Sequence, residues 1–457
     1  MAHDSEIKKV LIVGAGMSGL MLGILLTHAG IDFDIYERSA VIKPIGSTMA
    51  FDSRILAVFE QLGMLEDALN ISFPCRGLNI YDNNLQAMGG FDLSDYKNRT
   101  GYDMILFSRP QMHQLFVSKI PKDKLHLGKK IESIEDNGEE VTIHCADGSS
   151  ASGDILVGAD GAYSGVRMSL FKAMAEKGLL PEADKEDLSV GHICMVGTTK
   201  PLEDNTYKAL NDNFSHFERV IMQGTPHSWS TATVPGNRVC WLMTTQLEST
   251  STNATRFNNA EWGPEANQSM IEEVRDYPCA LGGTMGDLID LTPPEMISRV
   301  FLEEKLFESW HHGRVVLIGD ACHKMLPSGG AGAINALQDA VILANCIYDI
   351  TSATPENIHE AFADYRSQRY PKAKYQIDKS KVMATIQYGQ TWKDRAIRNI
   401  IFNWIPKPIQ TELFLKDTTY RPQVIFLPNI ENRGTVALEP QQPCKKYIQK
   451  QSEEQAN

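Results

Sequence analysis

No stretch of this chain holds the ~20 unbroken apolar residues that a membrane-crossing helix requires. No secretory leader is legible either, because "MAHDSEIKK" is charged and runs at once into the short, glycine-bent "VLIVGAG". Paired cysteine spacing is also missing. The eight cysteines (Cys75, Cys145, Cys194, Cys240, Cys279, Cys322, Cys346 and Cys444) lie far apart with no Cys-x-x-Cys, which points to reduced thiols rather than a disulfide framework or a zinc site. A basic excess is lacking too. Asp and Glu number 57 against 44 Lys and Arg, a net charge of -13, which speaks against nucleic acid as a partner. No internal repeat is present. The expectation is a soluble, cytoplasmic protein without a transmembrane segment, with attachment to a membrane surface left open.

What is present is a chain of 457 residues, 42% hydrophobic, long enough for two to three domains. Residues 9–37 read as strand, turn, helix and strand, with a largely apolar helix suited to covering a parallel sheet. Residues 51–69 predict an amphipathic helix ended by Gly63. Residues 125–157 alternate and carry the hairpin pairs Asn137-Gly138 and Asp147-Gly148, predicting an antiparallel meander that feeds the strand "DILVGAD". Between about 190 and 250 the pattern becomes β-rich, as expected for a second, mainly antiparallel sheet. A polar stretch from 251 turns helical before 300, residues 315–340 return to strand, turn and helix, and residues 356–416 read as helical.

Three motifs carry chemistry. Gly14-Ala15-Gly16-Met17-Ser18-Gly19 is a G-x-G-x-x-G between strand and helix. Gly14 serves the tight turn, Gly16 lets backbone approach a pyrophosphate, and Gly19 allows close helix packing. The helix N-terminus offers N–H groups to phosphates, and Glu37, with Arg38 beside it, ends the next strand where an acid takes ribose hydroxyls. "DILVGADGAYSGVR" places Asp160-Gly161 after a strand, with Arg167 following. "VVLIGDACHKMLPSGGAGAIN" places Gly319-Asp320 at another strand end. A carboxylate buried there needs a hydrogen-bond donor, which a polyol chain supplies.

In this order and spacing the motifs resemble those of class A flavoprotein monooxygenases, the aromatic-hydroxylase superfamily. The likeness is closest to its salicylate-hydroxylase-like and fungal terpenoid or alkaloid epoxidase-like members, and it covers about residues 8–375. It implies an α/β fold in which a Rossmann-type FAD-binding domain (1–180 and 299–355) interleaves with a mainly antiparallel substrate-binding β-sheet domain (181–298). A C-terminal helical region (356–425) and a mobile tail (426–457) follow. The resemblance assigns the ADP half of FAD to Gly14, Gly16, Gly19 and Glu37, and FAD with its transient nicotinamide partner to Asp160, Gly161 and Arg167. Gly319 and Asp320 fall to the ribityl chain, Pro327 lies beside the ring, and Arg109 in "SRPQMHQLF" makes a further FAD contact. Where the family often reads P-x-x-G-Q-G-x-N, this chain keeps Gly330 and Gly332 but has Ala331 and Ile334, which puts side-chain contacts at those two positions in doubt.

The implied activity uses NAD(P)H and O2 to hydroxylate or epoxidise a hydrophobic aromatic, indole or terpenoid molecule through a flavin hydroperoxide. The turn at Gly329–Gly332 is expected to aim backbone N–H groups at negative charge on the reduced ring. No catalytic residue is assigned. His192, His216, His227 and Tyr207 are candidate bases, each more commonly structural, and His323 within the Gly-Asp motif reads as structural. Trp229, Trp241, Met222 and Met243 read as core or pocket wall. The alternatives are a related flavin-dependent reductase or halogenase, or a non-catalytic FAD-binding protein. The halogenase pattern W-x-W-x-I-P is absent, since "FNWIP" lacks its first Trp.

Overall fold

The computed structural model describes residues 7–43, 46–222, 224–247, 264–389 and 391–446. The polar segment 248–263 and the end of the tail, 447–457, lie outside the described residues. Two large sheets organise the rest. The first has six strands in the order His311–His312, Val315–Leu317, Ile155–Gly158, Val10–Val13, Phe33–Glu37 and Leu125–Leu127. All neighbours run parallel except the hairpin at 311–317. Parallel strands are buried on both faces, and Val10–Val13 and Ile155–Gly158 are apolar and buried throughout. Helices Met17–Ala29 and Gly332–Tyr348 pack against each other within the same core.

Because Val10–Val13 lies between strands from opposite ends of this chain order, the connection direction reverses beside it. Ligands of such sheets bind at the carboxyl ends at that switch point. Gly14 and Ala159, the residues that follow the two adjacent strands, meet there. A Cβ on Gly14 would stand 2.4 Å from the Ala159 carbonyl oxygen, and its φ of +107° belongs to glycine.

The second sheet has ten strands and is mainly antiparallel. It is not confined to residues 181–298 as the sequence suggested. Thr48–Phe51, Ser72–Tyr81, Ala87–Asp92 and Ile105–Ser108 join it from the N-terminal part, and His323–Lys324 joins from the far side. The chain therefore crosses between the two sheets repeatedly.

Three local differences from expectation have simple causes. The helix expected over 51–69 is two, Ser53–Gln61 and Leu65–Asn70, because Gly63 takes a φ of +66°. The meander is the three-stranded sheet Ile131–Gly153, but Leu125–Leu127 belongs to the parallel sheet beside Phe33–Glu37. Residues 426–446, expected to be mobile, are tied to the body. Gln441 bonds Gln423, the Asp349 carboxylate accepts from the Lys445 amide, and Lys372 pairs with Glu439.

Candidate functional site: a two-ended cavity at the switch point

Between the two sheets lies a cavity of about 1160 Å³. One end is built from the motif turns: Gly16, Arg109, Gly161, Asp320, Pro327, Gly330 and Gly332 all line it. The N-terminus of Met17–Ala29 opens onto this end, with Gly16, Met17 and Ser18 in the wall. Gly16 meets nothing closer than 3.9 Å on its Cβ side, so an incoming group has direct access to its backbone. Gly19 sits against the Gly14 carbonyl, where a Cβ would stand only 2.1 Å away. Beside this turn the Glu37 carboxylate accepts the Ala15 amide at 3.0 Å and the Ser39 amide at 2.9 Å, and Arg38 is exposed. The segment Pro327–Gly329 forms one 3-10 turn, and Gly330 takes a φ of +58°. Helix Gly332–Tyr348 then starts with first-turn N–H groups that lack intrahelical acceptors.

Two assigned residues stand behind this wall. Asp160 accepts from the Ser164 hydroxyl and the Val166 amide, and so caps helix Gly165–Glu176. Burial pushes its carboxyl up, against the pull of those bonds. Arg167 bonds the carbonyls of Ala162 and Ala321, bracing two turns rather than facing the cavity. Ala331 and Ile334 are buried, in two different clusters of the core. Neither lines the cavity, so the family's departures at these positions fall in the packing.

His323 is buried, and its Nε2 donates to Asp339 at 2.6 Å. Asp339 also accepts from Arg369 Nε at 2.8 Å and from the Gly319 amide at 2.9 Å. This buried cluster fixes the Gly319-Asp320 turn from below. Cys322, His323 and Asp339 have the proximity of a metal-ligand set, but the Arg369 guanidinium already neutralises the carboxylate. Asp320 itself lines the cavity and pairs with Lys324 at 2.5 Å. Asp339 and Arg369 were not singled out by the sequence, since their partnership spans 30 residues and two helices.

The other end of the cavity is the face of the second sheet. Alternation divides that sheet cleanly. Ile80, Arg219, Ser230 and Leu242 are register partners across four strands, and all four line the cavity. The adjacent row, Val220, Trp229 and Met243, points the other way into a separate core with Trp241 and Tyr207. Met222 packs against that same far core. Trp229, Trp241 and Met243 are thus core residues of the far face.

The candidate bases leave the cavity as well. His227 is buried between Thr245 and Glu273, at 2.9 Å from each, and His216 pairs with Asp212 at 2.7 Å. His192 lies against Tyr388, 5.3 Å between ring centroids, outside the cavity wall. Arg219 takes their place as the polar feature. It is 6% exposed, its Nη2 donates to Ser230 Oγ at 3.2 Å, and its guanidinium carbon lies 5.2 Å from the Tyr388 ring centre. Nη1 has no hydrogen-bond partner among the described residues. A buried guanidinium with an open donor is costly unless something occupies it. Burial pushes the Tyr388 hydroxyl up, keeping it protonated. The remaining walls are mixed: Phe91, Leu106, Phe217, Leu302, Met383 and Phe414 are apolar, while Asp52, Arg54, Lys379 and Asp417 form a linked set of ion pairs.

The profile of the FAD binding domain family matches residues 8–380, well over half of the chain. The chain belongs to this family. Its glycine turns, open Gly16 backbone and neighbouring carboxylate fit FAD. The FAD-dependent monooxygenase ausM of Penicillium brasilianum is 28% identical over 96% of this chain and 91% of its own length. The FAD-dependent monooxygenase ctvC of Aspergillus terreus is 27% identical over 93% and 89%. Among solved structures, HpxO of Klebsiella pneumoniae, complexed with FAD and uric acid, superposes with a TM-score of 0.74 at 22% identity, covering 91% of this chain and 97% of that one. A salicylate hydroxylase substrate complex gives 0.63 at 18% identity over 90% and 98%. The expected class A flavoprotein monooxygenase with FAD as cofactor holds, and the reductase, halogenase and non-catalytic readings find no support in these relatives.

Proposed function

We propose that this FAD-dependent monooxygenase oxygenates an electron-rich carbon–carbon double bond in a predominantly apolar small molecule. When bound, FAD supplies the electron transfer from NADH or NADPH and the activation of O2. The chain's own residues supply position and dryness. The open N–H groups at Gly16 and at the start of Gly332–Tyr348 hold and polarise the cofactor end. Leu78, Ile80, Phe217, Leu242 and Leu302 exclude water from the substrate end. Arg219 orients the substrate by one electronegative group, such as a carbonyl or hydroxyl, and the protonated Tyr388 flanks that guanidinium.

The observation that carries this reading is the division of the cavity into a glycine-turn end and a sheet face on which the buried Arg219 keeps an open donor, whereas Arg54, the other buried guanidinium of the wall, is paired with Asp52 and Asp417. Epoxidation is favoured over phenol hydroxylation because the histidines that could serve as base lie outside the wall. The test is oxidation of NADH and NADPH by the purified yellow protein, screened against polycyclic alkenes and phenols, with product mass spectrometry. Alkene-stimulated oxidation that yields a product with one added oxygen atom supports the reading. Stimulation and oxygenation by phenols alone would overturn it.

A further inference from the structure

The segment after the long helix Pro355–Tyr388 presents an apolar face to solvent. Trp392, Ile397, Ile400, Trp404, Ile409 and Leu413 are all exposed, Trp404 at 76% and Trp392 at 70%. Trp392, Ala396, Ile400 and Trp404 recur at every fourth residue along helix Trp392–Asn399 and its continuation Ile400–Trp404, so they share one side. The opposite side is anchored. Phe402 is buried, and Arg398 donates to the carbonyls of Ile386 and Gly389 at 2.8 and 2.6 Å. Thr391 and Asp394 close a capping box at the helix start. The exposed face is therefore held outward by a fixed inner face.

Cations surround it. Lys393, Arg395, Lys407 and Lys416 are exposed. Five basic residues stand against two acidic ones between 392 and 416, in a chain whose total charge is -13. The patch also adjoins the cavity mouth, since Ile401, Ile405 and Leu413 line the cavity, as does the exposed Val382. Indole rings favour the boundary between hydrocarbon and headgroups, and basic residues favour anionic headgroups. Among the described residues no helix is long and apolar enough to cross a membrane, so any attachment by this face lies in the plane of the surface.

We propose that this face seats the protein on an anionic phospholipid surface, with the cavity mouth turned toward the lipid so that an apolar substrate enters from it. The excess of basic residues complements an anionic lipid surface and disfavours a two-fold contact of this face with itself, which would set like charges against each other.

Sedimentation of the FAD-loaded full chain with vesicles tests this. The protein is expected to pellet with vesicles of phosphatidylcholine containing phosphatidylserine, and the double variant Trp392→Ser/Trp404→Ser is expected to bind about tenfold more weakly or worse. Brominated lipid is expected to quench the tryptophan emission of the parent. Neither tryptophan lines the cavity, so cofactor content and melting temperature are expected to match the parent. A second pair, Lys393→Glu with Arg395→Glu, is expected to lose binding to the anionic vesicles while keeping its FAD. Three results overturn the proposal: a parent protein that stays in the supernatant, either pair binding at parental strength, or light scattering in which the tryptophans join two copies in vesicle-free buffer.

Discussion

Arg167 Nη1 donates to the carbonyl of Ala321 at 2.9 Å, while its Nη2 donates to the carbonyl of Ala162 at 2.7 Å. One planar guanidinium thus pins together the turns at Ala162 and Ala321, distant in the chain and adjacent at the cavity. Its face lies 4.2 Å from the centre of the Phe307 ring, which shields both bonds. Arg167→Met is expected to weaken FAD binding about tenfold or more, through turn geometry rather than a lost cofactor contact. Arg167→Lys is expected to recover little, because an ammonium cannot reproduce the fork. Fluorescence titration of the stripped protein with FAD measures both.

Gly14→Val tests the first turn. The backbone conformation disfavours any side chain, and the new Cβ collides with the Ala159 carbonyl. Strain of about 1–3 kcal/mol from the backbone alone, with the steric clash added, is expected to leave a folded but colourless protein. Circular dichroism and flavin absorbance separate the two outcomes. A yellow Gly14→Val protein of parental stability would contradict the geometry.

The Asp339 cluster predicts an acid limit to stability. Burial alone raises this carboxyl, but the charges of His323 and Arg369 overcome it and hold it below its ordinary value of 3.8. A carboxyl depressed by folding adds stability above its unfolded pKa, and that contribution is lost as pH falls through the folded value. Acid unfolding below about pH 4 is therefore expected to be less steep in Asp339→Asn than in the parent. At neutral pH, Asp339→Ala or Arg369→Ala is expected to cost about 3–5 kcal/mol, since each leaves a buried partner uncompensated. Denaturant melts across pH values check both statements.

Arg219→Met is expected to retain FAD and raise KM for substrate about tenfold to a hundredfold, the usual worth of a charge-assisted hydrogen bond. Removing the substrate's electronegative group is expected to produce the same loss in the parent and no further loss in the variant. Steady-state kinetics on the substrate pair, with flavin content measured alongside, decides it.

The glycine turns at one end of the cavity were legible because glycine there answers to backbone geometry. Gly14 and Gly330 declare positive φ locally, and strand-to-helix turns set them in order. The substrate end was not, because search by residue type pointed to histidines whose surroundings a sequence does not display. His227 carries the chemistry of a base, yet Glu273 and Thr245 hold it on the far face. The alternation in "SHFERVI" was visible, but choosing Arg219 over Glu218 required knowing which face the far core covers. Leu125–Leu127 was misplaced for a related reason, since three residues beside a meander carry too little pattern to reveal a parallel partner 90 residues earlier.

The row of Ile80, Arg219, Ser230 and Leu242 has a consequence for how such an enzyme changes over generations. Each cavity position is followed or preceded by a residue of the far core, so neighbouring codons in one strand answer to different selective demands. On the proposed function, substitutions of one parity are expected to alter which molecule is accepted, and those of the other whether the sheet survives. New specificity can therefore arise by single replacements along one row, while the repeated crossings between the sheets prevent the substrate half from being exchanged as a block.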